Sequence, residues 1–163
     1  MNDLLSLGRQ ALSSQPFSRM VGAELEIFRE GLAELRLPLR QELKQQHGFA
    51  HGGDARPRAA LPAKSRKLRD LAVRTAQRFV ADNALTFAGG SVLGTAVVTS
   101  EFKINYVRPA LGTALIARAT VVHAGKSQAV CRCDVFALKD GVEILAAVAQ
   151  GTIARMGGGP EEG

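Results

Sequence analysis

From Ala96 to Met156 the chain has room for little except antiparallel strands joined by tight connections. Four strand-like segments fall at about Ala96–Tyr106, Ala114–Ala124, Ala129–Lys139 and Val142–Met156. The connections between them are short, and a parallel crossover needs a dozen or more residues. Lys139-Asp140-Gly141 carries a hairpin turn signal, and Ala124-Gly125-Lys126-Ser127 reads as a second turn. Nearer the N-terminus, Ala23–Phe28 and Leu32–Leu37 alternate apolar with polar residues around Arg29-Glu30-Gly31, a further hairpin with one buried face. Ala63 to Ala88 has no Pro or Gly and is rich in Ala, Leu, Arg and Lys, all good helix formers. Its residues Leu68, Leu71, Ala72, Thr75, Ala76, Phe79 and Val80 recur at three and four, which predicts a long, interrupted helix. Gly89-Gly90 is expected to stop it. Residues 2–14 read as a short amphipathic helix ended by Pro16. The expectation is an α+β fold, a sheet curled around one apolar helix.

Length and composition narrow the class. A chain of 163 residues, 46% hydrophobic, with a mean hydropathy of +0.03, fits one soluble globular domain over residues 1–156 and a disordered Gly-rich tail over 157–163. No apolar run reaches the roughly 18 residues that span a bilayer. The N-terminus lacks the basic region and apolar core of a signal peptide, so the cytoplasm is the expected compartment. The net charge of +6 lies in residues 54–80, which hold eight basic and two acidic residues. The remainder is neutral. Nucleic acid is not the expected partner, because Phe79 is the one aromatic residue in that basic stretch and single strands need stacking surfaces. Cys131 and Cys133, two apart on a strand, are expected to be reduced thiols. No metal-ligand spacing is present, and neither metal nor cofactor is expected.

Two stretches carry chemistry. Gln45-Gln46-His47-Gly48-Phe49-Ala50-His51-Gly52-Gly53 brings together amides, imidazoles and glycines, and a His-Gly-Gly run can turn backbone N–H groups toward a carbonyl oxygen. Ala81-Asp82-Asn83-Ala84 places a carboxylate in an apolar helical setting beside Phe79, Val80, Leu85 and Phe87. No Gly-x-Ser-x-Gly elbow occurs.

These motifs, followed by Thr99-Ser100-Glu101-Phe102-Lys103-Ile104-Asn105-Tyr106-Val107-Arg108-Pro109-Ala110, resemble those of the hotdog-fold acyl-CoA thioesterases of the phenylacetate-degradation (PaaI-like) type, from about residue 15 to 155. The resemblance implies an acyl-CoA thioesterase without a cofactor, acting on a medium-chain or aromatic acyl group. Asp82 would be the nucleophile or general base, Gly52 the N–H donor to the thioester carbonyl, Gln45 the amide that holds thioester or water, and Thr99 the hydroxyl that orients water. His51, Gly53, Asn83 and Arg108 would bind substrate, Arg108 at the coenzyme A phosphates. The family's site lies between two subunits, which implies a homodimer or homotetramer.

One departure bears on activity. In the family the Asp follows the His-Gly-Gly by about two helical turns, whereas here 29 positions separate Gly53 from Asp82. The extra segment, about 54–80, lies before or within the central helix. It either loops out and leaves both ends in place, or extends the helix and carries Gly52 away, or is foreign to the domain. If it disables the site, the expected alternative is a hotdog domain serving as a binding or assembly module.

Overall fold

The computed structural model describes residues 3–39 and 63–157, with the side chains of 63–69 excepted. Two short helices, α1 (Leu4–Ser14) and α2 (Pro16–Val21), precede the hairpin β1 (Glu24–Arg29) and β2 (Leu32–Pro38). Helix α3 (Ala63–Leu93) follows, then β3 (Val97–Tyr106), β4 (Ala114–Ala124), β5 (Gln128–Lys139) and β6 (Val142–Arg155). The strands form one antiparallel sheet in the order β1-β2-β4-β5-β6-β3, against which α3 packs. This is the expected α+β hotdog architecture, and each expected strand is found within one residue of its predicted bounds. The β5–β6 turn has positive φ at both Asp140 and Gly141, the type I′ geometry that Asp-Gly favours.

Alternation explains which face of the sheet is buried. Leu35 and Leu37 on β2, Leu115 and Ala117 on β4, and Cys133 and Val135 on β5 are all essentially inaccessible and face α3. The helix presents Val80, Ala81, Ala84, Leu85 and Ala88 to them, all fully buried. On the opposite face of the sheet, Glu34 and Arg118, directly paired across β2 and β4, form a salt bridge, and Glu143 supports the same guanidinium. Glu34 is only 7% exposed, so the arginine neutralises a charge that would otherwise be costly to bury. The Glu34 hydrogen bond also raises the Arg118 pKa above its ordinary value.

Two expectations need correction. The long helix is not interrupted: it runs unbroken through all of Ala63–Leu93, so residues 63–80 are helix continuous with the central segment. Gly89-Gly90 does not stop it. A Cβ on Gly89 would lie 2.6 Å from Ile153 Cβ, so glycine serves there to bring the helix close to β6. The helix ends at Gly94, whose φ of +103° is open to glycine, and Arg155 closes the end by donating from Nε (2.9 Å) and Nη2 (2.6 Å) to the Leu93 carbonyl. Pro16 likewise ends α1 but also begins α2, at the first helical position where its missing N–H costs nothing. The connection 40–53, the loop 54–62 and residues 158–163 of the expected tail lie outside the described residues.

Cys131 and Cys133 are free, buried thiols. Burial pushes Cys131 up to about 11 and raises Cys133 further. Because the folded-state values lie above those of the unfolded chain, the stabilisation they bring is complete at neutral pH and is lost only as pH rises past the ordinary thiol value.

The helix-to-sheet contact and the thiols each yield a measurable expectation. Gly89→Ala should lower stability by about 1–3 kcal/mol in urea unfolding, overriding the gain of up to roughly 1 kcal/mol that alanine brings to a helix. An unchanged or higher urea midpoint would contradict the close approach. At pH 8 the native protein should leave both thiols unreactive toward a disulfide reagent, and two thiols per chain should react once guanidinium unfolds it. Reaction in the native state would place them outside the core.

Candidate active site

Helix α3 runs beside the edge strand β3, and their side chains meet in pairs. Arg74 lies over the Tyr106 ring, 5.0 Å from its centroid, and Arg78 lies over Phe102 at 4.5 Å. One turn further on, Asp82 meets Thr99. Positions 74, 78, 82 and 86 succeed one another at i,i+4 on a single side of the helix.

The strand supplies its half of these pairs through an irregularity. Its register shifts between Thr99 and Glu101, leaving Ser100 as an extra residue. Before the shift the half-buried positions are Val97 and Thr99; after it they are Phe102, Ile104 and Tyr106. A regular strand would put Thr99 and Phe102 on opposite faces. The bulge turns both toward α3.

Asp82 is half-buried. Thr99 Oγ1 donates to Asp82 Oδ1 at 2.8 Å. Thr86 Oγ1 lies 2.8 Å from Thr99 Oγ1 and 2.8 Å from the Asp82 carbonyl oxygen. Each hydroxyl has one proton. With the Thr99 proton committed to the carboxylate, the Thr86 proton is shared between Thr99 and the helix carbonyl. The hydroxyl relay fixes Asp82 Oδ1 and leaves Oδ2 as the remaining acceptor. A carboxylate held this way can take a proton from water or attack a carbonyl carbon directly.

The other expected residues fall differently. Asn83 donates from Nδ2 to the Phe79 carbonyl at 3.0 Å, within its own helix, so its amide is engaged by the backbone one turn back. Arg108 follows β3 and lines a cavity of about 330 Å³ together with Arg74 and Gln77. Gln45, His51, Gly52 and Gly53 lie outside the described residues. Among the described residues no group of three or more His, Cys, Asp or Glu side chains gathers to hold a metal ion, and no helix is long and apolar enough to cross a membrane.

Sequence reading singled out neither Thr86 nor Arg78. The i,i+4 spacing from Asp82 was the available signal for both. Gln77 carried none, since its interest comes from burial.

Comparisons with known proteins bear on the family and the fold. The family model of the thioesterase superfamily matches residues 79–144, which take in Asp82, Thr86 and Thr99. Among solved structures the chain is similar to a thioesterase family protein from Silicibacter pomeroyi, with 30% identity over 92% of this chain and 96% of that one and a TM-score of 0.68. It is similar as well to a conserved protein from Pseudomonas aeruginosa, at 28% identity over 87% of this chain and 94% of that one, TM-score 0.60. A variant of the phenylacetic acid degradation protein PaaI from Thermus thermophilus matches at 25% identity over 87% of this chain and all of that one, TM-score 0.56. No curated protein matches.

Proposed function

Because the chain belongs to the thioesterase superfamily, we propose that it hydrolyses an acyl-CoA thioester to a free acid and coenzyme A, with Asp82 as nucleophile or general base. The observation that carries the reading is the half-buried Asp82 carboxylate, oriented by Thr99 at 2.8 Å. A thioester needs little more, since a thiolate leaves readily. Acting as base, Asp82 takes a proton from water, the water oxygen attacks the carbonyl carbon, the C–S bond breaks, and the proton passes to the departing thiolate. Acting as nucleophile, the carboxylate attacks the carbonyl carbon and the C–S bond breaks, releasing the thiolate. Water then opens the resulting acyl anhydride to the free acid and the regenerated carboxylate, and its proton passes to the thiolate. In either route Thr99 positions the carboxylate or its water.

The rest of the proposal follows the family pattern. The Gly52 N–H polarises the thioester carbonyl and Gln45 holds thioester or water, with both contributed by a second protomer in a homodimer or homotetramer. His51 and Gly53 shape that loop, Asn83 sits beside the carboxylate, and Arg108 takes the coenzyme A phosphates. The acyl group is medium-chain or aromatic, a choice supported by the likeness to a protein named for phenylacetic acid degradation. No cofactor takes part, and the compartment is the cytoplasm.

A second reading has one observation in its favour. Helix α3 is unbroken for 19 positions before Asp82, about 28 Å of rise. Two turns before Asp82, where the family spacing would set glycines, the helix carries Arg74 and Thr75. On this reading the domain is a binding or assembly module.

Release of free thiol from a panel of acyl-CoA thioesters separates the two. Asp82→Asn should lower kcat at least about 100-fold, and Thr99→Val should lower it by a smaller factor with KM little changed. Wild-type rates in Asp82→Asn would sink the catalytic assignment. A parent chain inert toward the whole panel, with hydrolysis appearing once residues 56–76 are deleted, would establish the module reading.

A further inference from the structure

Behind the Asp82–Thr99 pair stands a third group. Thr86 is half-buried on α3, one turn after Asp82 and on the same side of the helix. A threonine inside a helix commonly donates to the carbonyl oxygen four residues back. Thr75 does only that, reaching the Leu71 carbonyl oxygen at 2.9 Å with no second partner among the described residues. Thr86 makes the same backward bond, to the Asp82 carbonyl oxygen at 2.8 Å, and has a further contact that Thr75 lacks. Its Oγ1 lies 2.8 Å from Thr99 Oγ1, on a different element of the fold.

The protons decide what that contact is. Two hydroxyl oxygens 2.8 Å apart need a proton between them, and each hydroxyl brings one. The Thr99 proton is committed to Asp82 Oδ1, also at 2.8 Å. A bond to an ionised carboxylate is about twice as strong as one between neutral groups, so Thr99 does not turn its proton away from it. The proton between the two threonines therefore comes from Thr86, which shares it with the Asp82 carbonyl. The result is an ordered chain from Thr86 through Thr99 to Oδ1, in which each donor polarises the next. When the carboxylate takes up a proton, its hold on the Thr99 hydroxyl weakens, and the Thr86 proton can turn wholly to the helix carbonyl. Neither hydroxyl gives up its proton; only their directions change.

We infer that Thr86 is a positioning residue for Asp82: acting through Thr99, its hydroxyl sets the direction of the Thr99 O–H, which keeps Oδ1 engaged and leaves Oδ2 to the reacting water or thioester. The inference rests on the hydrolase reading proposed above. A bond between two neutral hydroxyls sets the size of the effect, about three- to tenfold in rate.

Thiol release from a panel of acyl-CoA thioesters, with Thr86 and Thr99 varied singly and together, tests the role. Thr86→Val keeps the branched shape and removes the hydroxyl. It should lower kcat about three- to tenfold and leave KM within about twofold. Thr86→Ser restores the hydroxyl and should recover most of the loss. Thr75→Val removes the same backward bond from the same helix and should change neither constant. In a Thr99→Val background, adding Thr86→Val should lower kcat no further, because its route to the carboxylate is already gone. Should Thr86→Val fail to fold, Thr86→Ala against Thr86→Ser carries the same reading. Wild-type kcat in Thr86→Val overturns the inference. So do equal losses in both backgrounds, or a Thr86→Ser protein as slow as Thr86→Val; each of these results keeps the hydrolase. A wild-type chain inert toward the whole panel removes the hydrolase and, with it, the catalytic role of Thr86. Urea unfolding of the single and double variants then decides the hydroxyl chain by itself. Midpoint losses that are less than additive in the double variant keep the chain, and additive losses remove it.

Discussion

Everything in this molecule depends on how closely one helix lies against the sheet. The contact is made by small residues: Ala81, Ala84 and Ala88 are fully buried on α3, and Gly89 brings the backbone against the side chain of Ile153. Within the sheet Gly151 likewise brings β6 close to β3: a Cβ there would lie 2.7 Å from the Glu101 carbonyl oxygen and 2.6 Å from Phe102 Cβ. Dense packing of this kind tolerates little sliding, because a displaced helix forfeits many small dispersion contacts at once. The helix is consequently a fixed axis, and a residue's place along it decides which strand it meets.

The carboxylate at position 82 inherits its surroundings from that axis. Two elements that are distant in sequence converge on it: a helix that sets Asp82 and Thr86 one turn apart, and an edge strand whose bulge at Ser100 brings Thr99 round to face them. The same bulge lets Phe102 and Tyr106 lie beneath Arg78 and Arg74. One extra residue in β3 thus sets the whole row of helix–strand pairs, running from a cationic end to the carboxylate. Function and fold meet in that row. The pairs tie the helix to the edge strand, and along the helix they run from two arginines to the carboxylate.

Much of this was legible beforehand. Asp140-Gly141 announced its turn because a type I′ geometry needs two positive φ values and few residue types accept them. The strands were legible because one face is buried and the side-chain period is two. Asp82 and Thr99 stood out as parts of a recognisable motif, and the structure brings them into contact. The end of α3 was misread for a physical reason: glycine marks a helix stop or a close approach, and which applies depends on what lies opposite. At Gly89 that is Ile153, 64 positions later. The contacts of Arg74 and Arg78 were hidden inside a stretch that read as diffuse positive charge.

Sequence alone determined the six strands and the long helix, the hairpin connections, the apolar face of the helix and the identity of the family, because each rests on local periodicity or on residues near one another in the chain. Tertiary structure alone decided that α3 runs unbroken through its glycines, that Thr99 and Thr86 hold Asp82, and that Gln77 is buried with an unpaired amide beside two arginines. Those facts concern distances between residues far apart in sequence, and such distances are set by how a close-packed helix settles on a twisted, bulged sheet.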